Sequence, residues 1–254
     1  MAGGSGLIGR PLVARLDAMG YAVHRLVRRE PATPAEIRWD PGAGQLDPAA
    51  LEGAHAVINL GGAGVGDHRW TEAYKRTILR SRVDGTELIA RTAAVLDQPP
   101  ARLLQASAVG FYGDRGDEPL DETSEPGTGF LADVVRRWEA AADPARAAGV
   151  PVAHLRSGLV LTPDGGAAGR LLGVLRLGLG GRLGSGRQWW PWITLPDEVD
   201  AIVHLIDSAL TGPVNLTAPE PARNADVTRA FARALHRPAL IPVPAFALRL
   251  VLGE

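Results

Sequence analysis

An α/β fold on a doubly wound parallel sheet, with a small C-terminal lobe, is predicted by three features of this 254-residue chain. Short apolar runs alternate with helix-period patterns, as they do where crossover helices join parallel strands. A glycine-rich turn stands at the start, "MAGGSGLIGR", and an amphipathic segment follows it directly. After residue 163 the composition becomes glycine-rich and the alternation weakens. The expected division is residues 1–163 and a smaller lobe over 164–254, with about 196–218 packing back on the first unit.

The elements follow in order. In "LIGRPLVARLDAMG", Leu7, Ile8, Leu12, Val13, Leu16 and Met19 fall largely on one helical face, and Gly20 can end the helix. "YAVHRLV" and "HAVINLGG" read as strands. "WTEAYKRTILRSRVDGTELIARTAAVL" is a long helix, expected to bend near Gly85. "RLLQAS" is a strand. "GFLADVVRRWEAAADPARAAG" is mostly helix, with Pro144 marking a break. "PVAHLRSGLVL" is a strand that leaves the sheet. Beyond it, "DEVDAIVHLIDSAL" is an amphipathic helix, "GPVNLTA" a short strand, and "NADVTRAFARALHR" a helix with Asn224 as its expected N-cap. Almost nothing precedes the glycines, so the first strand reads as missing or truncated. That predicts a gap beside the core and a damaged or rearranged nucleotide site, unless another segment fills the space.

Composition narrows the function. Hydrophobic residues make up 46% of the chain and the formal net charge is −1, which does not favour nucleic acid as a partner. The absence of cysteine excludes disulfides, thiol catalysis and thiolate metal sites. No apolar run approaches the ~20 residues that cross a bilayer, and no charged-then-apolar leader opens the chain. The expectation is a cytoplasmic chain without a membrane partner. The six histidines are scattered, and the acidic run "GDRGDEPLDETSE" reads as a solvated loop, so no metal is expected.

Gly3, Gly6 and Gly9 give G-x-x-G-x-x-G, and Gly4, Gly6 and Gly9 give G-x-G-x-x-G. Glycine lets backbone N–H groups approach a pyrophosphate, and the following helix turns its positive end toward it. A Rossmann-type dinucleotide site is therefore expected over Gly3, Ser5, Gly6, Leu7, Ile8 and Gly9, with Leu60, Gly61 and Gly62 after the later strand. Gly6 and Gly9 are expected closest to the pyrophosphate. An acidic residue that would bind ribose hydroxyls is replaced by Arg28 and Arg29 in "LVRRE". Guanidinium groups suit a 2′-phosphate, which favours NADP(H), with NAD as the other candidate. The competing reading leaves the arginines solvated and gives Glu30 the acidic role.

With these residues placed, the chain resembles the extended or atypical short-chain dehydrogenase/reductases, in particular the NAD(P)-dependent epimerase/dehydratase proteins described as nucleotide-sugar-epimerase-like. The resemblance is carried by "GGSGLIGR", "AVINLGGAGVGDHRWTEAYKRTILRSRVDGTELI", "ASAVGFYGDRGDEPLDETSEPGTGFLADVVRRWEAAA", "LRSGLVLTPDGGA", "LGLGGRLGSGRQWWPWI" and "HRPALIPVPAFALRLVLGE". It implies oxidoreductase or epimerase-like chemistry on a small molecule, such as a nucleotide-sugar or another carbonyl or hydroxyl compound. It leaves a homodimer open, and both ends look shortened beside such relatives.

The wider superfamily that the chain resembles usually carries a Tyr-x-x-x-Lys pair, with tyrosine moving the proton and lysine lowering its pKa, whereas the atypical group tends to lack it. This chain has Leu131 and Val135 there. Ser107 stands at the usual serine position, where it is either catalytic or a strand-end residue. Tyr112 is a candidate substitute acid or packs beneath the cofactor. Arg82 either binds an anionic substrate or ties its helix to a loop. Trp189, with Trp190 and Trp192, either lines a substrate cleft or belongs to the core. Two other functions stay open: a non-catalytic nucleotide-binding regulator, and an enzyme using the fold for non-redox elimination or cyclisation.

Overall fold

The computed structural model describes residues 1–178, 180–239 and 241–244. α1 (Gly9–Ala18) leaves the glycine turn. β1 (Arg25–Val27) and β2 (Glu36–Asp40) pair in parallel, and β3 (Gln45–Leu46) returns antiparallel along β2. Next come β4 (Val57–Asn59), α2 (Glu72–Ala93), β5 (Leu103–Ala108), α3 (Phe130–Ala140), α4 (Asp143–Ala147) and β6 (Val152–Ser157). β7 (Leu159–Leu161), α5 (Gly166–Arg176), β8 (Trp189–Trp190) and β9 (Trp192–Thr194) lead into α6 (Leu195–Ile206) and β10 (Gly212–Leu216). β11 (Ala222–Arg223) and α7 (Asn224–Ala234) follow.

β4, β5, β6 and β10 form a continuous parallel ladder. One residue joins it to β1. Ala2 bridges Leu26 on one side and Asn59 on the other, both in parallel. Its N–H donates to the Ile58 carbonyl at 2.9 Å, and its carbonyl accepts from Leu60 N–H at 3.1 Å. The Met1 carbonyl accepts from Leu26 N–H at 2.7 Å. Ala2 is wholly buried between β1 and β4, and no gap opens there. Its few ladder bonds lie where the chain enters the glycine turn, and they hold Gly3 against the end of β4. From Ala2 the sheet grows outward through β1 and β2, and then from β4 on the other side. That reversal of order is where ligands bind in such sheets.

Alternate residues serve the two faces, as the strand period of two requires. Leu26, Trp39, Val57, Leu103 and Val152 pack with Ile89 of α2 and Ala145 of α4. Ile58, Leu104 and Leu155 pack with Leu12 and Leu16 of α1 and with Ile202 and Leu205 of α6. β7 leaves the main sheet to pair with β9, and β8 pairs with β11. α5 and α7 meet through Leu171, Leu175 and Ala232.

Several local expectations change. The strand read over 21–27 contracts to β1, and "EIRWD" supplies β2, which the apolar patterning did not single out. α2 is unbroken at Gly85, where a Cβ would lie 3.3 Å from the Trp39 indole; glycine there makes room for a ring. Pro144 does mark the break, in the first turn of α4. Arg223 is the N-cap of α7, because the Asn224 side chain accepts from Leu183 N–H instead. The family-like stretch from His236 onward lies partly outside the described residues, as does Leu179 in "GLGGRLGSG". Among the described residues no helix is long and apolar enough to cross a membrane, and no group of His, Asp and Glu is placed to hold a metal ion.

Candidate functional site

The glycine turn is shaped by close backbone approaches. Gly3 has φ +76°, and a Cβ on it would lie 2.7 Å from the Leu60 carbonyl carbon. A Cβ on Gly9 would lie 2.1 Å from the Gly3 oxygen. Gly6 N–H donates to that same oxygen at 3.0 Å. Gly9 is therefore buried beneath the turn, while Ser5 and Gly6 are exposed at its tip, at the head of α1. Of the two glycines expected closest to a pyrophosphate, Gly6 is exposed at the tip and Gly9 is buried. Leu7 and Ile8 are half-buried where the turn enters α1. Such a cradle of N–H groups and a helix N-terminus suits an anion.

Arg28 and Arg29 differ. Arg29 grips Glu36 with two bonds of 2.8 and 2.7 Å. Arg25 joins at 3.1 Å, and Ala32 N–H donates to the same carboxylate at 2.8 Å. The Arg29 bonds foremost, with the Ala32 bond, hold the Glu36 carboxyl down to about 2. Arg28 is exposed and makes no hydrogen bond or ion pair among the described residues. Glu30 pairs with Arg38.

The loop after β4 is held from below. Asn59 Oδ1 accepts from Gly61 N–H at 3.1 Å. Its Nδ2 donates to Thr86 Oγ1 and Gln105 Oε1, and Trp138 Nε1 also donates to Thr86. Ser81 Oγ accepts from Ala63 N–H, and Arg82 Nη1 donates to the Ala63 and Ile78 carbonyls at 3.0 Å. The Arg82 guanidinium lies over the Trp138 ring, 5.0 Å from its centroid. Arg82 thus ties α2 to the loop after β4.

Ser107 and Tyr112 join one buried network. Ser107 Oγ donates to Glu139 Oε1 at 2.5 Å. Arg156 holds both oxygens of Glu139 at 2.9 Å and donates to Tyr112 OH at 2.9 Å. Tyr112 OH donates to Asn215 Oδ1 at 2.7 Å. The Arg156 guanidinium stacks 3.6 Å from the Phe111 ring centroid. Burial alone would raise the Glu139 carboxyl; Arg156 and the Ser107 hydroxyl outweigh it and hold it below the usual range. Val135 packs on Phe111 and Tyr112. The candidate acid thus has its proton and its acceptor site occupied, in a place water barely reaches.

Trp189 is partly exposed and tied to the segment between β5 and α3. Its Nε1 donates to Asp117 at 2.8 Å, and Arg223 stacks on its ring at 4.3 Å while reaching the same carboxylate at 3.0 Å. One group entirely outside the sequence expectations is Glu198 in the first turn of α6. It is fully buried, Ser157 Oγ donates to its Oε1 at 2.5 Å, and its Oε2 has no partner. Burial pushes this carboxyl from 4.5 up to about 7. A raised folded pKa favours the protonated folded state, so stability is full below the unfolded value and falls as pH climbs toward 7. Glu198→Gln should remove that slope and, relative to the parent, gain up to about 3 kcal/mol at pH 8 over pH 4. Urea midpoints at both pH values check this; parallel pH profiles would contradict it.

Polar residues inside apolar strands were the available signal for what was missed: Asn59 in "AVINL", Gln105 in "RLLQAS" and Arg156 in "VAHLRS". A buried polar side chain needs a partner: Asn59 meets Thr86 of α2 and Gln105 of β5, and Arg156 meets Glu139 of α3.

Comparison with known proteins agrees with this layout. The sequence profile of the NAD dependent epimerase/dehydratase family matches residues 1–216. The chain is 46% identical over 255 residues to an epimerase family protein of Mycobacterium bovis, spanning 100% of this chain and 84% of the relative. It is 35% identical over 258 residues to human epimerase family protein SDR39U1, spanning 99% and 85%. A crystal structure of human SDR39U1 (isoform 2) with NADPH is similar at a TM-score of 0.88 and 33% identity, over 100% of this chain and 85% of that one. A nucleoside-diphosphate sugar epimerase from Corynebacterium glutamicum is similar at a TM-score of 0.81 and 38% identity, over 98% of this chain and 53% of that one.

Proposed function

The chain belongs to the NAD-dependent epimerase/dehydratase family, and we propose that it binds NADP(H) and carries out oxidoreductase or epimerase-type chemistry on a small molecule without a Tyr-x-x-x-Lys pair. The observation that carries the cofactor reading is the turn: Gly3 and Gly9 occupy places a Cβ would fill, and the exposed tip stands at a helix N-terminus. The SDR39U1 structure with NADPH supports the phosphorylated cofactor. In this reading Gly3–Ile8 hold the pyrophosphate, Leu60, Gly61 and Gly62 flank the dinucleotide, and Arg28 meets the 2′-phosphate. A bound nicotinamide supplies hydride transfer. Leu131 and Val135 carry no proton, and the Ser107 and Tyr112 hydroxyls are engaged in the network. The proton therefore passes through substrate or water, and Ser107 and Tyr112 act as positioning residues. A nucleotide-sugar is one candidate substrate class.

The experiment is a fluorescence titration with both reduced cofactors. A charge-assisted contact is worth ~1.5–3 kcal/mol, roughly 10- to 150-fold. Arg28→Ala should weaken NADPH by that factor and leave NADH nearly unchanged. Arg29→Ala should affect the two cofactors alike, because Arg29 acts through Glu36. Equal affinity of the parent for NADPH and NADH would overturn the assignment.

The engaged hydroxyls favour one other reading, a regulator that binds NADP(H) without turning over substrate. NADPH binding with no oxidation across a panel of carbonyl compounds and nucleotide-sugars would support it.

A further inference from the structure

The start of the C-terminal lobe touches the two loops that the proposed cofactor site is built from. Gly165 and Gly166 lie on Leu7 of the glycine turn: a Cβ on either would come within 3.3 or 3.4 Å of the Leu7 methyl groups. One helical turn on, Arg170 of α5 donates through Nη1 to the Gly66 carbonyl at 2.5 Å and through Nη2 to Asp67 Oδ1 at 3.3 Å. Gly66 and Asp67 belong to the loop after β4. The guanidinium rests close on Gly66, where a Cβ would lie 2.5 Å from Nη1. The same loop is also held by α2, through Ser81 and Arg82 on Ala63 and Tyr74 OH on the Gly64 carbonyl, and by Trp70 Nε1 on the Val65 carbonyl.

We infer that residues 162–170 form a strap closed across the dinucleotide cleft, latched by Arg170 on Gly66 and Asp67, and that opening it sets the rate of cofactor exchange. This rests on the cofactor reading above. The glycine turn and the post-β4 loop are the two walls between which a dinucleotide enters at the reversal of strand order. One segment contacts both walls. Its latch is made to open: the Arg170 and Asp67 side chains are 60% and 58% exposed, so water competes for the ion pair and salt weakens it. The Leu7 contact is apolar and guides the strap back. A latch that forms equally over an empty and a filled cleft changes both exchange rates and leaves affinity alone.

Stopped-flow NADPH binding to the parent and to Arg170→Ala tests this, together with hydrogen exchange of the nucleotide-free proteins. In Arg170→Ala both association and dissociation should quicken by roughly fivefold, the equilibrium weight of one exposed contact. The dissociation constant should stay within about twofold. Amides of 64–67 and 165–170 should exchange faster without nucleotide, and Asp67→Asn should give a smaller change because the Gly66 bond remains. Unchanged rates and unchanged exchange would overturn the strap. Faster dissociation alone, with affinity falling in proportion, would also overturn it and make Arg170 a direct nucleotide contact. If the parent binds no NADPH, the cofactor reading fails and the gate with it, whereas faster amide exchange would still show that Arg170 holds the loop.

Discussion

Gly9→Ala is expected to cost about 3 kcal/mol of folding stability and to abolish NADPH binding, whereas Gly6→Asp is expected to abolish binding with the fold intact. The two glycines sit in one motif, but their surroundings differ. A Cβ on Gly9 meets the Gly3 oxygen at 2.1 Å and the Gly4 Cα at 2.8 Å. Both are backbone atoms, and Gly3 is itself fixed against Leu60, so nothing flexible can give way. Relief requires α1 to lift off the turn, which disturbs Leu12 and Leu16 in the core and scatters the N–H groups at the tip. A Cβ on Gly6 meets only the Gly3 oxygen, at 3.3 Å, and the residue is exposed. Aspartate there keeps the turn and places a carboxylate where the pyrophosphate would sit. Like charges a few ångströms apart should weaken NADPH at least ~100-fold. Urea unfolding and equilibrium dialysis on both variants separate the effects. A Gly9→Ala protein as stable as its parent would contradict the packing argument, and a Gly6→Asp protein that binds NADPH normally would remove the phosphate site from this turn.

This contrast shows what could be read from the chain alone. Glycine spacing, helix period and apolar runs identified the turn, α1, α2, α3 and the main strands, because each is a local pattern. Spacing alone did not say which glycine lies under the turn and which on top: Gly9 is enclosed by Gly3 and Gly4, and Gly3 is fixed in turn against Leu60, a residue 57 positions after it. The place that Ala2 fills between β1 and β4 was read as a gap for a similar reason. Two residues carry no strand signal, yet the ladder partners Leu26 and Ile58 supply the bonds. Arg28 and Arg29 were equivalent in sequence and became distinct only when β2 brought Glu36 beside one of them. Ser107 and Tyr112 were singled out as catalytic candidates, and the fold sets both hydroxyls in one buried network. Their engagement by Glu139, Arg156 and Asn215 joins four segments of chain, and no local pattern reports that.

The same network gives the other large expectation: Glu139→Gln should destabilise the fold by ~3–5 kcal/mol, the usual consequence of stranding one member of a buried ion pair. The Arg156 side chain is only 4% exposed, and Glu139 answers both arms of its fork. Glutamine can still accept from Ser107, but it removes the negative charge and turns one acceptor into a donor facing the guanidinium. Arg156 cannot escape by losing its proton, nor by swinging into solvent, because Phe111 and Tyr112 enclose it. The cost is therefore the uncompensated charge rather than the lost bond. It follows that Glu139→Gln combined with Arg156→Met should be less destabilised than Glu139→Gln alone, although Tyr112 and Asn215 then rely on each other. Urea unfolding of the parent, both single variants and the double variant closes the cycle. Strictly additive losses would mean the two charges do not sense each other. If Glu139→Gln costs under about 1 kcal/mol, the pair behaves as an exposed one, and Ser107 and Tyr112 would return as groups free enough to meet a substrate.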